Sequence, residues 1–167
     1  MANVLNLRIE LSGRPEVASL PGVSLRHYAG PADAAAWLEL RSRAFAREKV
    51  GVGRWDLADF EREFLQKEWW SPARMWLAEA LDRSGLPCPV GTITWADRGR
   101  EGDIRPAVHW LAVLPSSRRR GVGRLLLETL HAACWDAGYR EVWLETHAGW
   151  QSAAALYQGL GYRPVER

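Results

Sequence analysis

The chain is short of the features that mark several protein classes. Its two cysteines, Cys88 and Cys134, stand far apart and form neither a CxxC pair nor a Cys/His cluster. They read as free thiols in a reducing compartment rather than as a disulfide framework or a metal site. No apolar run approaches the ~18 residues that cross a bilayer, and the first residues lack a basic-then-apolar signal pattern, so the expectation is a cytoplasmic protein without a membrane partner. Lysine occurs only as Lys49 and Lys67, which leaves arginine as the main cation, a compositional bias. The formal net charge is +2, too small for the field of a nucleic-acid binder. No internal repeat or low-complexity tract breaks the 167 residues, a length that suits one domain over 1–167, with 1–22 as an N-terminal extension carrying an extra strand.

What is present centres on His109 to Leu126, HWLAVLPSSRRRGVGRLL. An apolar strand-like run passes through a proline turn and a basic glycine loop directly into an amphipathic helix. The first amides of a helix have no partner within it and lie at the positive end of its dipole, so this junction is an anion site. A Walker-type loop is excluded because no Lys-Ser or Lys-Thr pair follows either glycine. A dinucleotide fingerprint is excluded because Leu126 stands where a third glycine or alanine is needed. The pattern that remains is R/Q-x-x-G-x-G/A, matched by Arg118, Gly121 and Gly123 straight after Val113-Leu114-Pro115. It resembles the acetyl-CoA signature of the GCN5-related N-acetyltransferases, the GNAT superfamily.

The surrounding elements can be read from periodicity and punctuation. Val4 to Leu11 alternates as a half-buried strand, and Val23 to Tyr28 reads as a second. Pro31 opens a helix of about three turns reaching Phe45, and Asp56 caps a further helix expected to run to Trp69-Trp70. Val50 to Arg54 is expected to be a loop. Met75 to Leu81 and Val90 to Ala96 form a hairpin across Asp82 to Pro89, and Asp97 to Arg105 is a polar loop before the Ala107 to Leu114 strand. A helix over Val122 to Ala137, a strand over Glu141 to Thr146, a helix over Trp150 to Leu160 and one short closing strand complete the chain. The order implies an α+β fold, with a mixed, mostly antiparallel sheet, one parallel βαβ pair and about four helices. It too matches the GNAT superfamily over residues 23 to 162, and Trp55 to Phe60 is similar to the mycothiol-synthase-like actinobacterial branch.

The resemblance implies a site. Backbone amides from Arg119 to Arg124, including those of Arg120, Gly121, Val122 and Gly123, would cradle the acetyl-CoA pyrophosphate. The guanidinium groups of Arg118, Arg119, Arg120 and Arg124 are the candidates for added charge-assisted bonds. The pantetheine arm would pair with Leu111, Ala112 and Val113 where the parallel strands splay, and the Val113 amide is the oxyanion donor that the resemblance implies. A second signature, Asn-x-x-Ala-x-x-Leu-Tyr followed by Gly-aromatic, is matched by Ala153, Leu156, Tyr157, Gly161 and Tyr162. Trp150 replaces its asparagine, which leaves Gln151 or Ser152 to make that contact. Tyr157 is implied as the general acid for the departing thiolate.

His109 has the reference pKa of a base suited to neutral pH, ~6.5, and Glu79, Asp97, Glu145 and His147 are its rivals, with an ordered water as a further route. Ala107 occupies the place of a catalytic glutamate in histone-acetyltransferase relatives. Trp55, Trp69 and Trp70 fall in segments expected to wall the acceptor site, while Trp110 and Trp143 belong to expected core strands. The function implied is acyl-CoA-dependent transfer of acetyl to a small-molecule or peptide amine, with no metal, no nucleic acid and a homodimer left open. A non-catalytic CoA-binding sensor or scaffold is the alternative.

Overall fold

The computed structural model describes residues 4–47 and 52–166, without the side chain of Gln151. Much of the Val50 to Arg54 loop therefore lies outside the described residues. The elements are β1 (Val4–Glu10), β2 (Ser24–His27), α1 (Pro31–Ala44), α2 (Leu57–Phe60), β3 (Met75–Leu81), β4 (Pro87–Arg100), β5 (Asp103–Val113), α3 (Val122–Asp136), β6 (Glu141–His147), α4 (Gln151–Leu160) and β7 (Arg163–Pro164). They build one seven-stranded sheet of order β2-β3-β4-β5-β6-β1-β7. Among the described residues only β5 and β6 run parallel, so the fold is the α+β architecture expected.

Local chemistry accounts for these elements. Leu125, Leu126, Leu127, Leu130 and Cys134 bury one face of α3, and Gly138, at φ 94°, ends it with a conformation other residues rarely adopt. Asp56 and Asp59 cap α2 reciprocally, each carboxylate accepting the other's backbone N–H. The sheet carries a separate core on each face. Ile93, Leu126, Leu130, Val142 and Tyr162 meet under α3 and α4, whereas Trp37, Phe60, Phe64, Met75 and Leu77 meet under α1 and α2. Burying each such side chain stabilises the fold by about 1.5–3 kcal/mol before entropy is counted.

The extra N-terminal strand, β1, lies between β6 and β7 and pairs with both. Three expectations are corrected. The helix opened by Asp56 does not reach Trp69-Trp70, because after one α turn the chain widens into a π turn over Glu61–Leu65. β4 and β5 extend through the expected polar loop to a tight turn at Glu101 and Gly102. Trp143 lies outside the core, with the Arg105 guanidinium 4.5 Å from its ring centre.

Candidate functional site

The site begins where the parallel pair comes apart. β5 and β6 pair at Ala107 with Trp143 and at Val108 with Leu144; β5 then continues to Val113 and β6 to His147 without further pairing to each other. On its other edge β5 carries a bulge, since its register with β4 shifts between Thr92 and Thr94. Trp110 sits in the bulge at φ 52°, a conformation that costs a bulky residue about 1–3 kcal/mol. Ring contacts offset that cost, with Trp55 at 4.9 Å and Phe45 at 5.9 Å.

The extra residue turns His109 and Trp110 towards the aromatic core under α1 and α2, while Leu111 and Val113 line the opening gap. The Leu114 N–H donates to the Val90 carbonyl at 2.9 Å. Peptide directions alternate along an antiparallel strand, so the Val113 amide points away from β4 into the gap.

The glycine turn closes one end of that gap. Arg119 and Gly121 adopt left-handed conformations, at φ 60° and φ 89°. They bring the chain into α3 with no side-chain cap and no acidic residue in its first turn. Arg119, Arg120 and Arg124 are exposed around these uncapped amides. Cations at a helix N-terminus oppose the dipole, so this arrangement fits an anion such as a pyrophosphate.

Arg118 is used differently. Its Nε donates to the Val113 carbonyl at 3.1 Å and its Nη2 to the Ala44 carbonyl at 2.6 Å, so it braces the turn while also lining the cavity. The Val113 carbonyl is thereby already engaged. Gly123 has its own reason, since a Cβ there would lie 3.0 Å from Leu156.

Between the turn, β5 and α4 lies a cavity of about 540 Å³. Leu111, Ala112 and Val113 form one wall, and Arg118, Arg119, Gly121, Gly123 and Arg124 its mouth. Ser152, Ala153 and Tyr157 form the opposite wall. Arg120 and Val122 do not line it, Val122 being buried in the core, and the Gln151 side chain is outside the described residues. Four further residues line it: Trp150 and Leu156, which belong to the second signature without having been assigned a contact, and Phe45 and Ala155, which sequence reasoning missed. Phe45 and Trp150 stack at 5.3 Å, and nothing in a sequence announces a pairing over that separation. Ala155 and Leu156 follow from helical spacing once Ala153 is placed.

Tyr157 is 6% exposed, and burial pushes its phenol well above the usual range. Its ring meets Tyr162 edge-on at 5.7 Å, and the Tyr162 hydroxyl pairs with His131 Nε2 at 2.6 Å. His109 is not beside Tyr157. It lies across β5 among Phe64 and Trp69, and burial lowers its imidazole to about 3. Two rival carboxylates are held by arginines, Glu79 by Arg26 at 2.7 Å and Asp97 by Arg74 at 2.8 Å. Glu145 lies 3.5 Å from Arg98, and His147 Nδ1 accepts the Gly149 N–H.

A splayed parallel pair, a bulged strand and an uncapped glycine turn thus border one cavity between β5 and α4. The model of the acetyltransferase (GNAT) family matches residues 34–162, and the chain belongs to that family. It is 32% identical over 163 residues to a mycothiol acetyltransferase of Thermobispora bispora, covering 89% of this chain and 51% of that protein. The chain thus spans about half the length of the curated relatives it matches. A GCN5-related N-acetyltransferase from Sphaerobacter thermophilus superposes with a TM-score of 0.75 at 24% identity, covering 97% of this chain and 48% of the other. A chain of the NatC complex bound to Gag peptide and CoA gives 0.67 at 21% identity, covering 87% of each. Among the described residues no helix is long and apolar enough to cross a membrane.

Proposed function

We propose that this domain is an acyl-CoA-dependent N-acyltransferase that moves acetyl from acetyl-CoA to a primary amine by direct attack in a ternary complex. The observation that carries the reading is the uncapped start of α3, reached through left-handed Arg119 and Gly121 and opening on a cavity whose far wall holds Tyr157. The donor supplies an activated thioester; the remaining work belongs to the chain. Amides from Arg119 to Arg124, with the Arg119, Arg120 and Arg124 side chains, hold the pyrophosphate. Leu111, Ala112 and Val113 align the pantetheine arm as an added strand, and Ser152 and Ala153 border it from α4. The Val113 amide faces the gap and is the donor for charge developing on the thioester oxygen.

Tyr157 returns a proton to the leaving sulfur. Burial raises the phenol, so it keeps its proton until the thiolate develops beside it. His109, lowered by burial to about 3, is too weak a base to take the amine's proton, which is passed instead to an ordered water before the amine attacks. Both small-molecule and peptide amines stay within the reading.

A melting shift with acetyl-CoA tests binding, and thiol release across an amine panel tests transfer. A shift with no thiol release from any amine supports the second reading, a CoA-binding sensor or scaffold. Two features favour that reading: Ala107 in place of a carboxylate, and the aromatic pair Phe45 and Trp150 at the cavity. No shift at all contradicts both.

A further inference from the structure

We propose that Glu63 is the group that recognises the acceptor, so that the acceptor is a cationic amine whose apolar or aromatic body packs against the half-buried Trp69. The inference rests on the acetyltransferase reading and adds the chemistry of the second substrate.

Glu63 stands in the middle of the π turn, which the Gln66 N–H closes by donating to the Glu61 carbonyl at 2.9 Å. Such turns are rare and collect at functional sites, because the extra residue re-aims a side chain. Here Glu63 Oε2 lies 3.9 Å from His109 Nε2, beyond hydrogen-bond range, and that nitrogen is buried without a partner. The His109 side chain is 17% exposed and Glu63 33%, so a ligand can reach the carboxylate. Phe64 and Trp69 contact the imidazole at 5.4 and 5.9 Å, which makes the surroundings aromatic.

Of the carboxylates without a lysine or arginine nitrogen within 4.0 Å among the described residues, Glu63 is the one that stands against His109. Asp33 and Glu79 share Arg26, Asp59 pairs with Arg62, Asp97 with Arg74 and Glu145 with Arg98. Among the described residues, no lysine or arginine nitrogen lies within 4.0 Å of Glu63. Its neighbour His109 is held neutral by burial. A part-buried carboxylate beside an unpartnered imidazole nitrogen attracts a cation, and an ammonium supplies both the charge and a hydrogen-bond donor.

The position is also right. His109 precedes by two residues Leu111, the first wall residue of the cavity, and two residues of strand span about 7 Å. An amine held at Glu63 is therefore one short stretch of β5 from the cavity wall, on the side where His109 meets Trp69.

The test uses protein saturated with CoA, which cannot transfer, and 2-phenylethylammonium as probe, followed by tryptophan fluorescence. The wild type should bind it saturably. Glu63→Gln should weaken binding at least tenfold, Glu63→Asp should restore part of it, and the neutral probe 3-phenylpropan-1-ol should not distinguish wild type from variant. Equal amine affinity in wild type and Glu63→Gln, or no saturable binding by the wild type, overturns the proposal. The CoA melting shift separates the failures. Its absence from the wild type sinks the acetyltransferase reading and this inference with it. Its presence in both proteins, with unchanged amine affinity, sinks the Glu63 assignment alone.

Discussion

Arg118 reaches back to the strand it follows: its Nε lies 3.1 Å from the Val113 carbonyl, while its Nη2 holds the last carbonyl of α1, at Ala44, 2.6 Å away. One guanidinium thus ties the glycine turn to the strand before it and to a helix 74 residues earlier. Arg118→Ala should cost about 2 kcal/mol, since it removes two hydrogen bonds from a charged donor, and lower Tm by roughly 4–8 °C. Arg119→Ala and Arg124→Ala should leave Tm nearly unchanged and weaken acetyl-CoA binding severalfold. Calorimetry and titration on the three variants check the division; equal thermal loss in all of them contradicts it.

Gly121 and Gly123 should fail for different reasons. Gly121, at φ 89° and with room for a Cβ in ordinary contact with Leu20 at 3.7 Å, is required by backbone conformation. Gly121→Ala should therefore destabilise by about 1–2 kcal/mol and weaken acetyl-CoA binding by disturbing the nest of amides. Gly123→Ala has no such strain, but its Cβ meets the movable end of Leu156 at 3.0 Å. It should cost less stability and narrow the cavity, a difference visible in melting curves recorded with and without ligand.

Tyr157→Phe should lower turnover about 100-fold or more, the usual scale for a lost general acid, with less than a twofold change in acetyl-CoA affinity. Steady-state kinetics beside equilibrium titration separates the two quantities. Equal losses in both would assign Tyr157 to packing.

Stability should fall as pH drops through the histidine range. Burial lowers His109 to about 3 and His131 to about 4, below their unfolded value near 6.5. The unfolded chain therefore binds protons first, and the stabilisation is complete above pH ~6.5 and lost progressively towards pH ~4. Replacing His131 by Leu together with Tyr162→Phe, which removes both partners of the buried 2.6 Å contact, should flatten the slope of stability between those values. An unchanged slope contradicts the assignment to His131.

Features carried by local spacing were legible in the sequence, and features made by distant contacts were not. Leu125, Leu126, Leu127 and Leu130 announce the buried face of α3, and Gly138 and Gly161 mark the ends of helices through conformations glycine favours. Arg118, Gly121 and Gly123 locate the turn because a helix N-terminus behind glycines has few other uses. The left-handed Trp110 has no such signature, since its strain is offset by Trp55 and Phe45, far away in the chain. The insertion of β1 between β6 and β7 is equally silent, because an alternating strand does not name its neighbours. The same holds for His109: its reference pKa suggests a base, whereas aromatic burial decides what the residue is.

The central claim is that the Arg119–Arg124 turn holds the pyrophosphate of acetyl-CoA. The most direct measurement is calorimetric titration of acetyl-CoA into the wild type and Gly121→Trp, whose indole would occupy the place of the phosphates. The account predicts saturable one-to-one binding to the wild type and its loss in a variant that remains folded by circular dichroism. Undiminished binding to folded Gly121→Trp would contradict it.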